Sequence, residues 1–213
     1  MRTIDIQTWS RRQQFELFRT YDSPYFGLCA NVDLTAFYPA VKQRGHSLTI
    51  AMVYLIARAS NAIPEFRYRI RDGQVIEHEV VHPGFTFLTD EDVFSFCIVD
   101  YVEDFSAFAA EAAEQIAFVK EHPWVHKVPE DDVLYMTAIP WVSFTSFLHP
   151  VQLQRADSIP RFAWGKFFEE GDLLKMPLGV QGHHALLDGV HVGKFYAHVQ
   201  DDLYQPEGVL GEA

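Results

Sequence analysis

Residues 180–200 read VQGHHALLDGVHVGKFYAHVQ and hold four of the chain's ten histidines. The stretch opens on the end of a strand-like segment that closes at His183-His184, crosses Asp188-Gly189, and continues with Val192, Phe195, Val199 and then Leu203 spaced for one face of a helix. It predicts a strand that turns a corner and becomes a helix capped by Asp188. Gly182, just ahead of the histidines, permits close approach by another group or a ligand.

Working outward, residues 161–183 read as a hairpin turning at Gly171-Asp172. Residues 65–81 alternate around Asp72-Gly73, a strong hairpin signal. Residues 84–101 read as two strands across an acidic turn, and residues 132–147 as a strand that becomes irregular at Pro140. Helices are predicted over 8–20, from an Asp33 cap to Gly45, over 48–63 behind a Ser47 cap, and over 104–121. The third of these is apolar nearly all round, as a buried helix is. This order implies an α/β fold: a two-layer sandwich of a mixed, largely antiparallel sheet packed on helices.

Length and composition bound the function. A chain of 213 residues without a linker or low-complexity run reads as one domain over residues 1–213. With 48% hydrophobic and 15% aromatic residues it can bury a large core. A net charge of −12 argues against nucleic-acid binding. Cys29 and Cys97 have no framework spacing, no apolar leader opens the sequence, and the longest apolar run is too short to span a bilayer. A cytoplasmic protein with no membrane partner is expected.

The histidine stretch admits three chemistries. Asp188 can be a plain helix cap with incidental histidines. His184, Asp188 and His191, spaced i, i+4, i+7, could face a metal on a continuous helix, but Gly189 interrupts that helix and no cysteine completes a zinc set. No metal is expected. The third chemistry is general-base catalysis, which needs a histidine of fixed tautomer and a donor for a developing oxyanion. The segment PWVSFTSF, residues 140–147, offers two serines and a threonine as donors. Neither serine sits in a G-x-S-x-G elbow, so a serine nucleophile is poorly supported.

The motif His184-x-x-x-Asp188-Gly189, with residues 9–18 (WSRRQQFELF), 64–83, 139–147 and 171–184 matching in order, resembles the trimeric chloramphenicol O-acetyltransferase family over about residues 9–200. The resemblance implies an acetyl-CoA-dependent O-acetyltransferase acting on chloramphenicol or a similar small molecule. His184 would be the base, with its tautomer set by its own carbonyl, and Ser146 the oxyanion donor. Asp188 would pair with Arg11 to hold the loop that aims His184. It further implies a homotrimer with the active site at the subunit interface, Phe18, Phe94, Phe96 and Ala163 around the acceptor, and Lys166 near a CoA phosphate. His191 is expected to face solvent or cap locally. Two positions depart from the family: Ala163 stands where many members have threonine, and Phe96 where a small residue is usual. Phe96 and Ala163 together leave open an acyltransferase for another alcohol or amine, and the aromatic lining alone would also suit a non-catalytic trimer binding a small ligand.

Overall fold

The computed structural model describes residues 1–89, 92–122, 130–151 and 157–211. The turn expected at Asp90-Glu91 lies outside them. Two sheets form. The larger has seven strands: β2 (Tyr25–Asp33), β10 (Leu173–His183), β8 (Arg161–Gly165), β7 (Val133–Ile139), β5 (His82–Leu88) and β6 (Phe94–Ile98) in spatial order, with β9 (Phe168–Glu170) paired to β10. The pairs β5–β7 and β7–β8 are parallel and the others antiparallel. The sheet is therefore mixed, as expected.

A second, three-stranded sheet joins β1 (Arg2–Ile4) to the hairpin of β3 (Tyr68–Arg71) and β4 (Gln74–Glu77). The hairpin turns at Asp72-Gly73, both with positive φ. Its pattern was legible. Its partner β1 was not, because three residues are too few to show a period.

Helices α3 (Leu48–Asn61), α4 (Phe105–Glu121) and α5 (Gly189–Tyr204) cover one face of the large sheet. They share a core with Phe85, Leu134, Met136, Phe162, Leu178 and Val180 from the strands. Ser47 and Asp104 cap α3 and α4 through side-chain acceptors, and the stripe Val192, Phe195, Val199, Leu203 of α5 is buried. Two helices differ from expectation. α1 is shorter, Arg12–Phe18. α2 starts at Phe37 and runs to Gln43, because Asp33 spends its carboxylate on the N–H and hydroxyl of Thr35, closing β2 in a turn instead of capping a helix.

The other face of the sheet is partly covered by residues 140–151. Gly165 and Gly179 make room for it. A Cβ on Gly165 would lie 2.8 Å from the Val142 carbonyl oxygen, and one on Gly179 would fall inside the Phe147 ring. The rest of this face is where the fold leaves strand side chains uncovered by helices.

Candidate active site

The corner predicted at residues 183–189 forms as a tight reversal. Leu186 and Leu187 both donate to the His183 carbonyl, and the His184 N–H donates to the Pro24 carbonyl at 2.7 Å, pinning the corner to the start of β2. Gly182 permits this. A Cβ there would lie 2.6 Å from Leu187 Cδ1.

The half-buried His184 ring lies between two phenyl rings. Phe18 of α1 stacks on it at 4.0 Å and 9°, and Phe26 of β2 leans on it at 4.5 Å. Its Nδ1 sits 3.1 Å from the Leu187 carbonyl oxygen. The expected partner was the histidine's own carbonyl; the reversal instead brings the carbonyl three residues on into reach. The consequence is the same. A carbonyl can only accept, so Nδ1 carries the proton and Nε2 keeps its lone pair.

Arg11 and Asp188 meet in an ion pair, and Arg11 Nη2 also reaches the His184 carbonyl oxygen at 3.5 Å. One guanidinium thus ties α1 to both ends of the reversal. Burial works to raise the Asp188 carboxyl, but the hydrogen bond and charge of Arg11, then His191 and the Val190 N–H, hold it below the usual carboxylate range. His191 is buried, not solvent-facing: its Nδ1 accepts the Asp188 N–H at 3.1 Å, completing a reciprocal cap at the start of α5. His184, Asp188 and His191 therefore do not converge on one point. Among the described residues no cluster of three or more metal-ligating side chains forms.

The neighbouring His183 points elsewhere. It is buried edge-on to Tyr25 at 5.6 Å, and its Nδ1 accepts the Ala185 N–H. Burial pushes it down to about 4, with His184 adding to the effect and Asp157 opposing it. It stays neutral at physiological pH.

The second group of expected residues lies on the uncovered sheet face. The register puts Phe96 opposite Thr86, Thr137 opposite Ala163, and Ala163 opposite Gly179. The hydroxyls of Thr86 and Thr137 are 2.7 Å apart and link the two pairs into one row. Beside this row a cavity of about 320 Å³ is lined by Phe96, Ile98, Tyr135, His149, Pro150 and Arg161. Phe94 and Phe96 are exposed on the edge strand β6, ring centroids 5.6 Å apart.

The expected residues thus fall into two groups. His184, Phe18, Asp188 and Arg11 come together at the corner; Phe94, Phe96 and Ala163 share the open face. Ala163 is fully buried within the protomer and does not line its open cavity. Ser146 is exposed on the irregular segment, next to Phe147 over Gly179, and it is not beside His184. Lys166 is exposed just past β8. Sequence reasoning missed Phe26, Thr86 and Thr137. Phe26 was marked only by its strand. Thr137 was marked by its alternation with Leu134, Met136 and Ala138, which face the helices.

The two groups are far apart in one protomer. From Gly179, two strands from Thr137, to His184 is five residues of strand, roughly 16–17 Å, plus two strand spacings of roughly 5 Å each.

A family model described as chloramphenicol acetyltransferase matches residues 1–200. A chloramphenicol acetyltransferase of Klebsiella sp is 34% identical over 200 residues, covering 93% of this chain and 91% of the relative. Chloramphenicol acetyltransferase 2 of Escherichia coli is 35% identical over 202 residues, covering 92% and 94%. A solved chloramphenicol acetyltransferase superposes with a TM-score of 0.84 at 26% identity, covering 95% of this chain and 99% of that one. The dihydrolipoamide acetyltransferase of Azotobacter vinelandii shares the fold, with a TM-score of 0.71 at 18% identity over 93% and 88%.

Proposed function

The chain belongs to the chloramphenicol acetyltransferase family and is an acyltransferase, and from this premise we propose that it moves the acetyl group of acetyl-CoA onto a hydroxyl of chloramphenicol. The observation that carries the mechanism is the His184 ring, stacked on Phe18 with Phe26 tilted against it and Nδ1 on a carbonyl. That arrangement leaves Nε2 as a base of fixed tautomer. Nε2 takes the proton of the acceptor hydroxyl as its oxygen bonds to the thioester carbonyl carbon. The tetrahedral adduct collapses, the carbon–sulfur bond breaks, and the proton on Nε2 passes to the departing thiolate. No acyl-enzyme forms. Asp188 and Arg11 hold the reversal and take no proton.

The oxyanion needs a donor. Ser146 is that donor: it is exposed on the segment that crosses the open sheet face, beside Phe147 over Gly179, as a group completed by a second subunit must be. The separation of this open face from His184 within a protomer supports a homotrimer in which His184 faces Ser146 of the partner subunit. Lys166, exposed beside the same face, suits a CoA phosphate. Each chain would act as a single domain over 1–213. No helix among the described residues is long and apolar enough to cross a membrane, and we place the enzyme in the cytoplasm.

Thiol release from acetyl-CoA in the presence of chloramphenicol tests the activity. The His184→Ala variant should lose at least about a hundredfold in kcat, the lower range for a positioned acid–base group. Near-normal turnover would overturn the base assignment. A second acceptor, another alcohol or an amine, is favoured by one feature only, the bulk of Phe96 on the cavity wall.

A further inference from the structure

We propose that Arg161 is a specificity-determining residue for this reaction: it closes the polar end of the open-face cavity and selects an acceptor whose end remote from the reacting hydroxyl carries a neutral, oxygen-rich group such as nitro. The inference rests on this cavity receiving the acceptor, and it names what the cavity prefers.

Strand register builds the cavity floor. Ile98 pairs with Gly84, Gly84 with Tyr135, and Tyr135 with Arg161, so the four form one row across β6, β5, β7 and β8. Gly84 has no side chain, which opens the row between its neighbours. A Cβ there would lie 3.6 Å from Ile98 Cγ1 and 4.0 Å from Tyr135 Cδ1, so a larger side chain would project into the slot. Arg161 lies two residues before Ala163 on the same face of β8, roughly 7 Å along the strand from the Ala163–Gly179 pair. Phe147 covers that pair at Gly179, and Ser146 adjoins Phe147. Arg161 therefore stands away from the oxyanion donor, where the remote end of an acceptor would rest.

Arg161 is buried and its charge is already balanced. Nη1 and Nη2 donate to the two carboxylate oxygens of Asp157 at 3.0 and 2.6 Å, and Nη1 also donates to the Ile159 carbonyl at 2.9 Å. The rings of Tyr25 and Tyr135 flank the guanidinium at 5.8 and 5.5 Å and help to hold it. Among the described residues these bonds occupy three of its five N–H groups, so donors remain for a ligand. His149, also on the cavity wall, is neutral: burial pushes it down, and its Nε2 faces the Phe162 carbonyl oxygen at 3.3 Å. The wall thus offers donors with no net charge. A carboxylate would lose its hydration and find its countercharge taken. An apolar group would leave the donors uncovered. A nitro group satisfies them with no charge to desolvate. An arginine held this way can instead serve the fold alone. That role would leave the choice of acceptor untouched, which makes the two separable.

The test compares chloramphenicol with two analogues that carry hydrogen or carboxylate in place of its aryl nitro group. Wild type should favour the nitro compound over the hydrogen analogue by about tenfold in kcat/KM, expressed in KM, the scale of one hydrogen bond to a charged group. Arg161→Met combined with Asp157→Asn removes both charges together and leaves no carboxylate unpaired. It should bring the two compounds within about twofold of each other. Asp157→Asn alone frees the guanidinium and should lower KM for the carboxylate analogue by about tenfold, a gain that a purely structural arginine would not give. This arm decides by itself should the double variant not fold. A nitro preference kept in the folded double variant, or a carboxylate analogue indifferent to Asp157→Asn, overturns the proposal. If wild type releases no thiol with any of the three compounds, the proposed reaction falls, and calorimetric binding of the same compounds decides the role of Arg161 by the same ratios.

Discussion

The corner that carries His184 and the sheet face that carries Thr137 are held by different forces. The corner is a short reversal braced by polar contacts: Arg11 on Asp188 and on the His184 carbonyl, the reciprocal Asp188–His191 cap, and the Pro24 carbonyl on the His184 N–H. The face is an array of strands whose side chains are aligned by register, with the Thr86–Thr137 hydroxyl pair among its polar links. A base must be aimed and keep one tautomer, and directional hydrogen bonds do that. A wall for an acceptor needs shape and stiffness, which a packed sheet supplies. The corner should therefore respond to pH and charge, and the face to volume and to single hydroxyls.

The largest expected effect at the corner is on stability in mild acid. His183 is buried and pushed down to about 4, against 6.5 for an unperturbed histidine. Between these values the unfolded chain binds a proton that the folded chain refuses. Stability is then complete above about pH 6.5 and falls as the pH drops toward 4, by about 3 kcal/mol in all for this group. His78, His149 and His191, also pushed down chiefly by burial, slope the same way. Urea unfolding of wild type and His183→Gln between pH 7.5 and 4.5 should show a shallower decline in the variant. Equal declines would mean that His183 is hydrated or relocated in the folded protein, and that the corner is looser than its contacts imply.

The two regions also differ in how far they were legible. The corner is local: Gly182, the paired histidines, Asp188 and the stripe of α5 lie within some twenty residues, so strand, cap and helix could be read together. Arg11, Phe18 and Phe26 come from afar, and the first two were reached through the family motif near the start of the chain. Phe26 could not be, because its contact with His184 depends on β2 pairing with β10. The face is assembled from β5, β6, β7, β8 and β10, and its row exists only once register is set. Sequence gave the strands but not who stands beside whom. Within residues 140–147 the hydroxyls of Ser143, Thr145 and Ser146 looked alike by spacing, and only the family motif singled out Ser146.

A smaller effect tests whether the polar bracing of the corner depends on geometry or only on charge. Arg11→Lys keeps the positive charge but loses the planar fork that reaches Asp188 and the His184 carbonyl together. The expected outcome is a kcat lower by about tenfold with KM little changed, because the base is misaimed while the acceptor wall on the opposite face is intact. Asp188→Ala should behave alike and should also remove the cap on α5, lowering Tm by a few degrees. Full activity in Arg11→Lys would show that a point charge suffices and would erase the contrast drawn between the two regions.

The smallest expected effect falls on the face. Phe96 is 36% exposed on the edge strand, meets Phe94 at nearly a right angle, and lines the cavity beside the Thr86–Thr137 pair. If its ring packs against the acceptor, Phe96→Ala removes an aromatic contact worth on the order of 1 kcal/mol. KM for chloramphenicol should then rise a few-fold, with kcat preserved because Nε2 of His184 and the hydroxyl of Ser146 are undisturbed. If the ring instead obstructs that acceptor, the same truncation should speed chloramphenicol turnover, and the natural substrate is a smaller alcohol or an amine. Steady-state kinetics with acetyl-CoA saturating decide between them, since a wall residue acts on acceptor binding and leaves the corner's chemistry alone.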